Sequence, residues 1–543
     1  MRAWLDASEL RVGLGCMRLT DEAPIVAAAE AGITVFDTAR SYGESERLLA
    51  SALRGSALPA RIVTKGGMGA GWIPDGRAKT IRADCEKSLD ALGGLPVDLY
   101  LLHAPDPRTP WATSVRALAK LVDDGLVARI GLSNVNHPQL DAALEIAPIA
   151  AVEVALSRFD DRALRGGMVA RCRELGIAVI AHSPLGGPRR AHKLNPDEAE
   201  EALAWVLALG PEVVAIPGAT RVKTARSAAR AASLKLVATG PVKPRAATRE
   251  GEVVVVMGIP GAGKSRISTG FLARGYRRLN RDELGGTLKD LAATLDAQLA
   301  AGEGRVVLDN TYLTRASRSH VIDVAHRHGL AARCVWLDIS LAQAQINLVE
   351  RLLDHFGRLP QPEELRGSRE PGLLLPTSQM RARRELEPPT SDEGWNSIEQ
   401  VPFVREPSRG QPGVLIAAAA VTPDYRRTSE PHLVFDWNPA GDRELLERAV
   451  AAIGGDVESA LCAHAAGPPQ CWCRPPLPGL LLAFARAKGV DPARSLVIGT
   501  GPAHRTLADA LGGRYRSVSD AAKSSLSLVG RAAITARGSS RRG

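Results

Sequence analysis

Between Val12 and Ala219 the chain sets short apolar runs against longer stretches of helical period, and it does so eight times. The runs are Val12–Met17, Thr34–Ala39, Arg61–Gly66, Val97–His103, Ala128–Asn134, Ala151–Ser157, Ile177–Ser183 and Val213–Ala219. A strand buried on both faces reads as a continuous apolar run, and strands separated by amphipathic helices pair in parallel. The pattern therefore predicts a (β/α)8 barrel.

Beyond Ala219 the pattern changes. The segment Thr239–Glu250 is rich in turn formers and charge and predicts a linker. Val253–Met257 then opens a second α/β unit that runs to about Arg405, and the turn-rich Glu406–Gly413 closes it. Val414–Val421 and Ser495–Gly499 supply strands of a third α/β unit. The expected divisions are 1–238, 251–406, 412–522 and a tail, 523–543, whose run of Arg, Gly and Ser predicts disorder. A chain of 543 residues is long enough for that many cores.

Composition narrows the class. With 45% hydrophobic and 24% charged residues the chain is neither a disordered nor a membrane protein by balance. No apolar run approaches the roughly 20 residues of a membrane helix. Met1–Asp6 carries an acid where a secretory signal places its apolar core, which predicts a cytoplasmic protein with no membrane partner. Of seven cysteines, Cys16, Cys85, Cys172 and Cys334 are scattered, while Cys462, Cys471 and Cys473 cluster. The net charge of +10 is compatible with a polyanionic partner, since lysine and arginine gain from counterion release on phosphate backbones.

In a parallel barrel the chemistry sits at the C-terminal ends of the strands. Asp37 ends the second run, Tyr42 follows it, Lys65 ends the third and His103 the fourth. This set resembles the catalytic tetrad of the aldo-keto reductases, over roughly residues 10–235. A phenol with a pKa near 10 needs a neighbouring cation to donate a proton near neutrality. The resemblance makes Tyr42 the proton donor, Lys65 the cation that eases its ionisation, Asp37 the partner of Lys65, and His103 the group that orients the carbonyl.

It also implies a bound NADPH or NADH. Ser133 and Asn134 match the pair that holds the nicotinamide amide, with Glu153 where the family usually has Gln. His182 stands at the position of the stacking aromatic, and Ser183 and Leu185 follow it. Thr224 and Ala228 replace the usual 2′-phosphate and adenine contacts, which leaves Arg221 and Lys223 as substitutes.

Gly258-Ile-Pro-Gly-Ala-Gly-Lys-Ser265 fits the phosphate-binding P-loop and follows a valine-rich strand. Gly258, Gly261 and Gly263 would let backbone N–H groups surround ATP phosphates, Lys264 would neutralise the β/γ charge, and Ser265 would hold Mg²⁺. Tyr276–Gly286, Val306–Thr311 and Pro402-Phe403 resemble the kinase half of polynucleotide 5′-kinases. That likeness implies Asp282 as the base for a 5′-hydroxyl, Asp309 on the metal and phosphate side, and Arg351 as the nearest lid arginine. A small-molecule kinase is the alternative acceptor class.

Cys462-Ala-His464 and Cys471-Trp-Cys473 carry four ligand types suited to tetrahedral zinc. With Pro478-Gly479 and Val497–Gly499 they resemble histidinol-phosphate phosphatases of the haloacid dehalogenase superfamily, where such a loop binds structural zinc. Yet Ala417–Ala420 stands where the nucleophilic Asp-x-Asp belongs, Pro475 where a phosphate-binding Lys belongs, and Thr500 where a metal-binding Asp belongs. Without the nucleophile no phosphoaspartate forms.

The sequence thus reads as a carbonyl reductase joined to a polynucleotide 5′-hydroxyl kinase and an inactive phosphatase-like unit, with a small-molecule or nucleic-acid-end carbonyl as substrate and nucleic-acid 5′-ends as partners. The rivals are a metabolic reductase joined to a small-molecule kinase, and a non-catalytic barrel that senses nicotinamide and regulates the kinase.

Overall fold

A computed structural model describes residues 4–6, 8–54, 58–234, 236, 247–366, 368, 370–403, 405 and 409–518. Most of the expected linker and all of the tail 523–543 lie outside them. Two compact units form. The first takes the described residues of Met1–Ala246 with Thr314–Gly329 and Pro389–Gly394; the second takes those of Ala247–Leu313, Leu330–Pro388 and Trp395–Gly543. Among the described residues, no helix is long and apolar enough to cross a membrane.

The first unit holds eight parallel strands in sequence order: β1 (Gly13–Gly15), β2 (Val35–Asp37), β3 (Arg61–Gly66), β4 (Val97–Leu102), β5 (Ile130–Ser133), β6 (Ala151–Ala155), β7 (Ala178–His182) and β8 (Val213–Ile216). Each lies within one of the apolar runs. Bridges from Val12 to Ala215 and from Gly15 to Gly218 join the first strand to the last and complete the barrel.

Strand alternation sorts the side chains. Phe36, Ile62, Tyr100, Leu102 and Val152 pack outward in the layer shared with the helices. Val35, Val63, Leu99, Leu101, Ala151 and Ile180 fill the lumen, with Trp4 among them. Trp4 is anchored by its indole N–H, which donates to Asp98 Oδ2 at 2.6 Å. Two residues further along the same inward register come Asp37, Lys65, His103, Glu153 and His182. The lumen is apolar at its N-terminal end and turns polar at the other, where the site lies.

The second unit contains two five-stranded parallel sheets. One comprises β9 (Glu252–Met257), β10 (Arg277–Leu279), β11 (Arg305–Asp309), β12 (Ala331–Asp338) and β13 (Ser397–Pro402), in the order β10-β11-β9-β12-β13. The other comprises β14 (Val414–Ala417), β15 (His432–Trp437), β16 (Glu458–Cys462), β17 (Leu496–Gly499) and β18 (Arg514–Ser517), in the order β16-β15-β14-β17-β18. The helix Leu341–Phe356 shares one apolar core with the second sheet, through Ile346, Val349, Leu352 and Leu353 against Leu415, Phe435, Leu481 and Phe484.

Candidate active sites

Lys65 Nζ lies 2.6 Å from Asp37 Oδ1 and 3.2 Å from Glu153 Oε2, and donates to the Thr38 carbonyl at 3.2 Å. The ammonium stands 5.2 Å from the centre of the Tyr42 ring. Tyr42 and His103 meet edge to face at 5.6 Å. The loop that carries Tyr42 is pinned from beneath. Buried Ser45 hydrogen-bonds Thr38 and donates to the Cys16 carbonyl, and buried Glu46 accepts from Thr64 at 2.7 Å.

Asn134 follows buried Ser133 at a φ of 58°. Its amide N–H donates to the His103 carbonyl and to Ser133 Oγ, both at 3.1 Å, and its carbonyl oxygen faces His182 Nε2 at 3.2 Å. Ser183, also at positive φ, sits 3.3 Å from His182 Nδ1. The residues expected to form the tetrad and to hold the amide therefore gather at one end of the barrel. Leu185 is half-buried and packs on the outer core, and Arg221 is an exposed residue at the start of the helix Val222–Ala231.

One contributor was missed by sequence reasoning. Trp72, between the short strands Met68–Gly69 and Ile73–Pro74, lies 6.0 Å from Tyr42 and 5.8 Å from His103. It holds a φ of 60°, costly for a residue with a bulky side chain, and remains 52% exposed. An exposed tryptophan thus stands against the Tyr42 and His103 rings. Only its apolar character, after the third run, signals it in the sequence.

In the second unit β9 leads into the phosphate loop, and Gly263 at a φ of 91° starts the helix Lys264–Leu272. At Gly261 a Cβ would sit 2.4 Å from the Ala344 carbonyl oxygen, so no other residue fits. Asn347 donates to the Gly261 carbonyl at 2.8 Å, and fully buried Gln379 donates to that of Pro260 at 2.9 Å. Neither was legible beforehand, because each reaches the loop from far along the chain. Lys264 donates to the carbonyls of Gly258 and Ile259. Its ammonium is held down to about 8, by burial above all and by Arg351, against the opposing pull of Asp309 and Asp282.

Ser265 and Asp282 are exposed, and Asp309 is buried with its carboxylate held by Arg278 at 2.7 Å. A cavity of about 520 Å³ opens beside the loop, lined by Gly261, Gly263, Arg266, Arg351, Phe403 and Arg405 among others. Arg351 is thus placed at the phosphate loop.

The sequence profile described as "Aldo/keto reductase family" matches residues 12–201, and that of an "AAA domain" matches residues 253–363. "Aldo-keto reductase str7" of Strobilurus tenacellus is 31% identical over 274 residues, covering 42% of this chain and 80% of that protein. The chain belongs to the aldo/keto reductase family. "Probable aldo-keto reductase 1" of Glycine max is 32% identical over 287 residues, covering 42% and 82%. A crystal structure of an aldo-keto reductase from Klebsiella pneumoniae, solved with NADPH, is 25% identical with a TM-score of 0.35, covering 42% of this chain and 86% of that one.

Electrostatics in the reductase unit follow from burial. His103 is pushed down to about 3 and His182 to about 4, by desolvation first and then by the positive charge of Lys65, so both rings are neutral near pH 7. Burial raises the Tyr42 phenol, and Lys65 opposes that rise. Burial alone would lower Lys65, but Asp37 and Glu153 overcome it and hold the ammonium firmly charged.

In the second sheet of the other unit, Cys462, His464, Cys471 and Cys473 converge with all four ligand atoms within 4.8 Å. Cys473 Sγ lies 3.3 Å from Cys462 Sγ and 3.2 Å from His464 Nδ1, and Cys462 Sγ lies 3.7 Å from Cys471 Sγ. Ligands about 2.0–2.3 Å from a tetrahedral zinc stand roughly 3.3–3.8 Å apart, which the closer pairs of the set match. The sulfurs are too far apart for a disulfide of about 2.05 Å. β14 ends in the short turn Ala418–Ala420, Arg474 binds the Ala465 and Gly467 carbonyls, and the Thr500 N–H donates to His504.

Proposed function

We propose that the chain is a nicotinamide-dependent carbonyl reductase joined to an ATP-dependent phosphotransferase that acts on 5′-hydroxyl ends of nucleic acid. The buried Lys65–Asp37 pair beneath Tyr42, with neutral His103 against the phenol, carries the reductase reading.

The residues fit a nicotinamide cofactor. Ser133 and Asn134 offer hydroxyl and amide groups at the barrel mouth, and His182 offers a ring beside them. When bound, the cofactor supplies a hydride to the carbonyl carbon. His103 holds the carbonyl oxygen, Tyr42 passes its phenolic proton to that oxygen, and Lys65 stabilises the phenolate left behind. Trp72 excludes water from one side and favours substrates with an apolar or aromatic face. Exposed Arg221 supports, without requiring, a cofactor 2′-phosphate.

In the phosphotransferase, Lys264 and the loop's N–H groups hold the ATP phosphates, Ser265 provides a hydroxyl for Mg²⁺, and Asp282 accepts the proton of the attacking hydroxyl. Asp309 acts by fixing Arg278. Exposed Arg381, Arg383 and Arg384 on the helix Pro376–Glu385, with the +10 net charge, favour a polyanionic acceptor. The Cys462/His464/Cys471/Cys473 set holds a structural zinc in a phosphatase-like unit that has no nucleophile.

Incubation with γ-labelled ATP, a 5′-hydroxyl oligonucleotide and a panel of small alcohols tests the acceptor class. Label on the oligonucleotide is expected; label on small alcohols alone overturns the nucleic-acid reading.

A further inference from the structure

Lys65 faces two carboxyl groups, not one. Asp37 on β2 and Glu153 on β6 lie 2.6 and 3.2 Å from its ammonium, and the three side chains are at most 5% exposed. The two carboxyls thus converge on a single buried ammonium.

With both carboxylates ionised, the cluster would bury a net charge of −1, which is costly without a further cation. The titratable groups that face it are Cys16 at the end of β1, Tyr42, His103 after β4 and His182 at the end of β7. Burial keeps both imidazoles uncharged at neutral pH and both the thiol and the phenol protonated. None of these supplies the missing positive charge. We propose that Asp37 and Glu153 share one proton over Lys65, and that Glu153 is thereby a positioning residue that sets the upper pH limit of proton donation by Tyr42.

The consequence for Tyr42 is electrostatic. One carboxylate balances Lys65 and leaves the ammonium able to stabilise a nascent phenolate. A second carboxylate over-neutralises it, and both Asp37 and Glu153 act to raise the phenol. Once the shared proton leaves, Tyr42 becomes the weaker acid and reduction slows. Burial lifts Asp37 to about 8, with the Glu153 charge adding to the rise, and lifts Glu153 as well. The two titrate as a pair, losing a single proton on the alkaline side of neutrality. A glutamine at 153 would be neutral at every pH and would remove this limit.

The proposal rests on the reductase reading for its effect on turnover, but the shared proton is observable without turnover. Infrared difference spectra of the full-length chain, recorded as pH is raised from 6 to 10, should show a carboxylic-acid carbonyl band that disappears on the alkaline side. Glu153→Gln should lack that band, because Asp37 is then an ordinary carboxylate paired with Lys65. In the pH profile of kcat for aldehyde reduction, the wild type should lose about tenfold per unit above its limit. Glu153→Gln should keep its own plateau at least one unit further.

A wild type without the band at pH 6–7, or a Glu153→Gln protein that keeps both band and alkaline limb, overturns the proposal. If Glu153→Gln does not fold, the wild-type band decides: its presence and alkaline loss support the shared proton, and its absence refutes it. A band that titrates as described in a chain that reduces no carbonyl supports the shared proton and refutes the proposed function instead.

Discussion

The imidazole of His103 stands edge-on to the phenol of Tyr42, with ring centres 5.6 Å apart and planes at 79°. The histidine is 6% exposed and its pKa is held near 3, by burial first and by Lys65 second. The ring is therefore neutral near pH 7.

That burial links stability to pH. Between about 3 and the usual 6.5 the unfolded chain binds a proton on this histidine that the folded chain does not. Stability contributed by neutral His103 is complete above about 6.5 and is lost as pH falls toward 3. Urea midpoints measured from pH 7 to 5 should fall less steeply for His103→Gln than for the wild type. Equal slopes would show that the ring is not desolvated.

The phosphate loop predicts proton uptake. Free Lys264 is held near 8, so near pH 8 about half of the chains carry it neutral. Polyphosphate raises it and, at pH 8, draws in up to about half a proton per chain. Titration of ATP at pH 8 in buffers of different ionisation enthalpy should report that uptake, and Lys264→Ala should abolish it together with phosphotransfer. Asp282→Asn should lower phosphotransfer by about 10²–10⁴-fold while ATP still binds.

Much of this was legible in advance, for physical reasons. A lumen strand needs a continuous apolar run, so all eight barrel strands were marked by composition. Asp37, Lys65 and His103 end three of those runs in the inward register, which is why a polar residue after an apolar strand pointed to the site. Trp72 was not legible, because its place depends on a hairpin and a backbone conformation that apolar pattern does not encode. Gln379 and Asn347 were hidden for another reason: their partners Pro260 and Gly261 lie 119 and 86 residues away. Likewise Glu153 stood out as an unusual residue, but its 3.2 Å approach to Lys65 is a product of barrel closure.

The four-residue Cys/His cluster predicts one zinc per chain. Metal analysis of the purified protein should find it, and Cys471→Ser should lose it and lower the melting temperature of the second unit. Zinc content unchanged by Cys471→Ser, or no zinc in the wild type, would contradict the assignment. No phosphatase turnover is expected with or without the metal, since Ala417–Ala420 offers no nucleophile.

If the two activities serve one substrate, aldehydes on oligonucleotide ends should be reduced faster than the matching free sugar aldehydes, because a tether raises the effective concentration of one site near the other. Reduction of small metabolites alone would separate the two functions.

Proton donation by Tyr42 in a nicotinamide-dependent reduction is read out by aldehyde-dependent oxidation of NADPH and NADH by wild type and Tyr42→Phe. The wild type should oxidise at least one of them, and Tyr42→Phe should lose about 10²–10⁴-fold in kcat with its phosphotransfer intact. A wild type that oxidises neither across a broad aldehyde panel, or a Tyr42→Phe protein within a few-fold of it, would show that Tyr42 is not the proton donor.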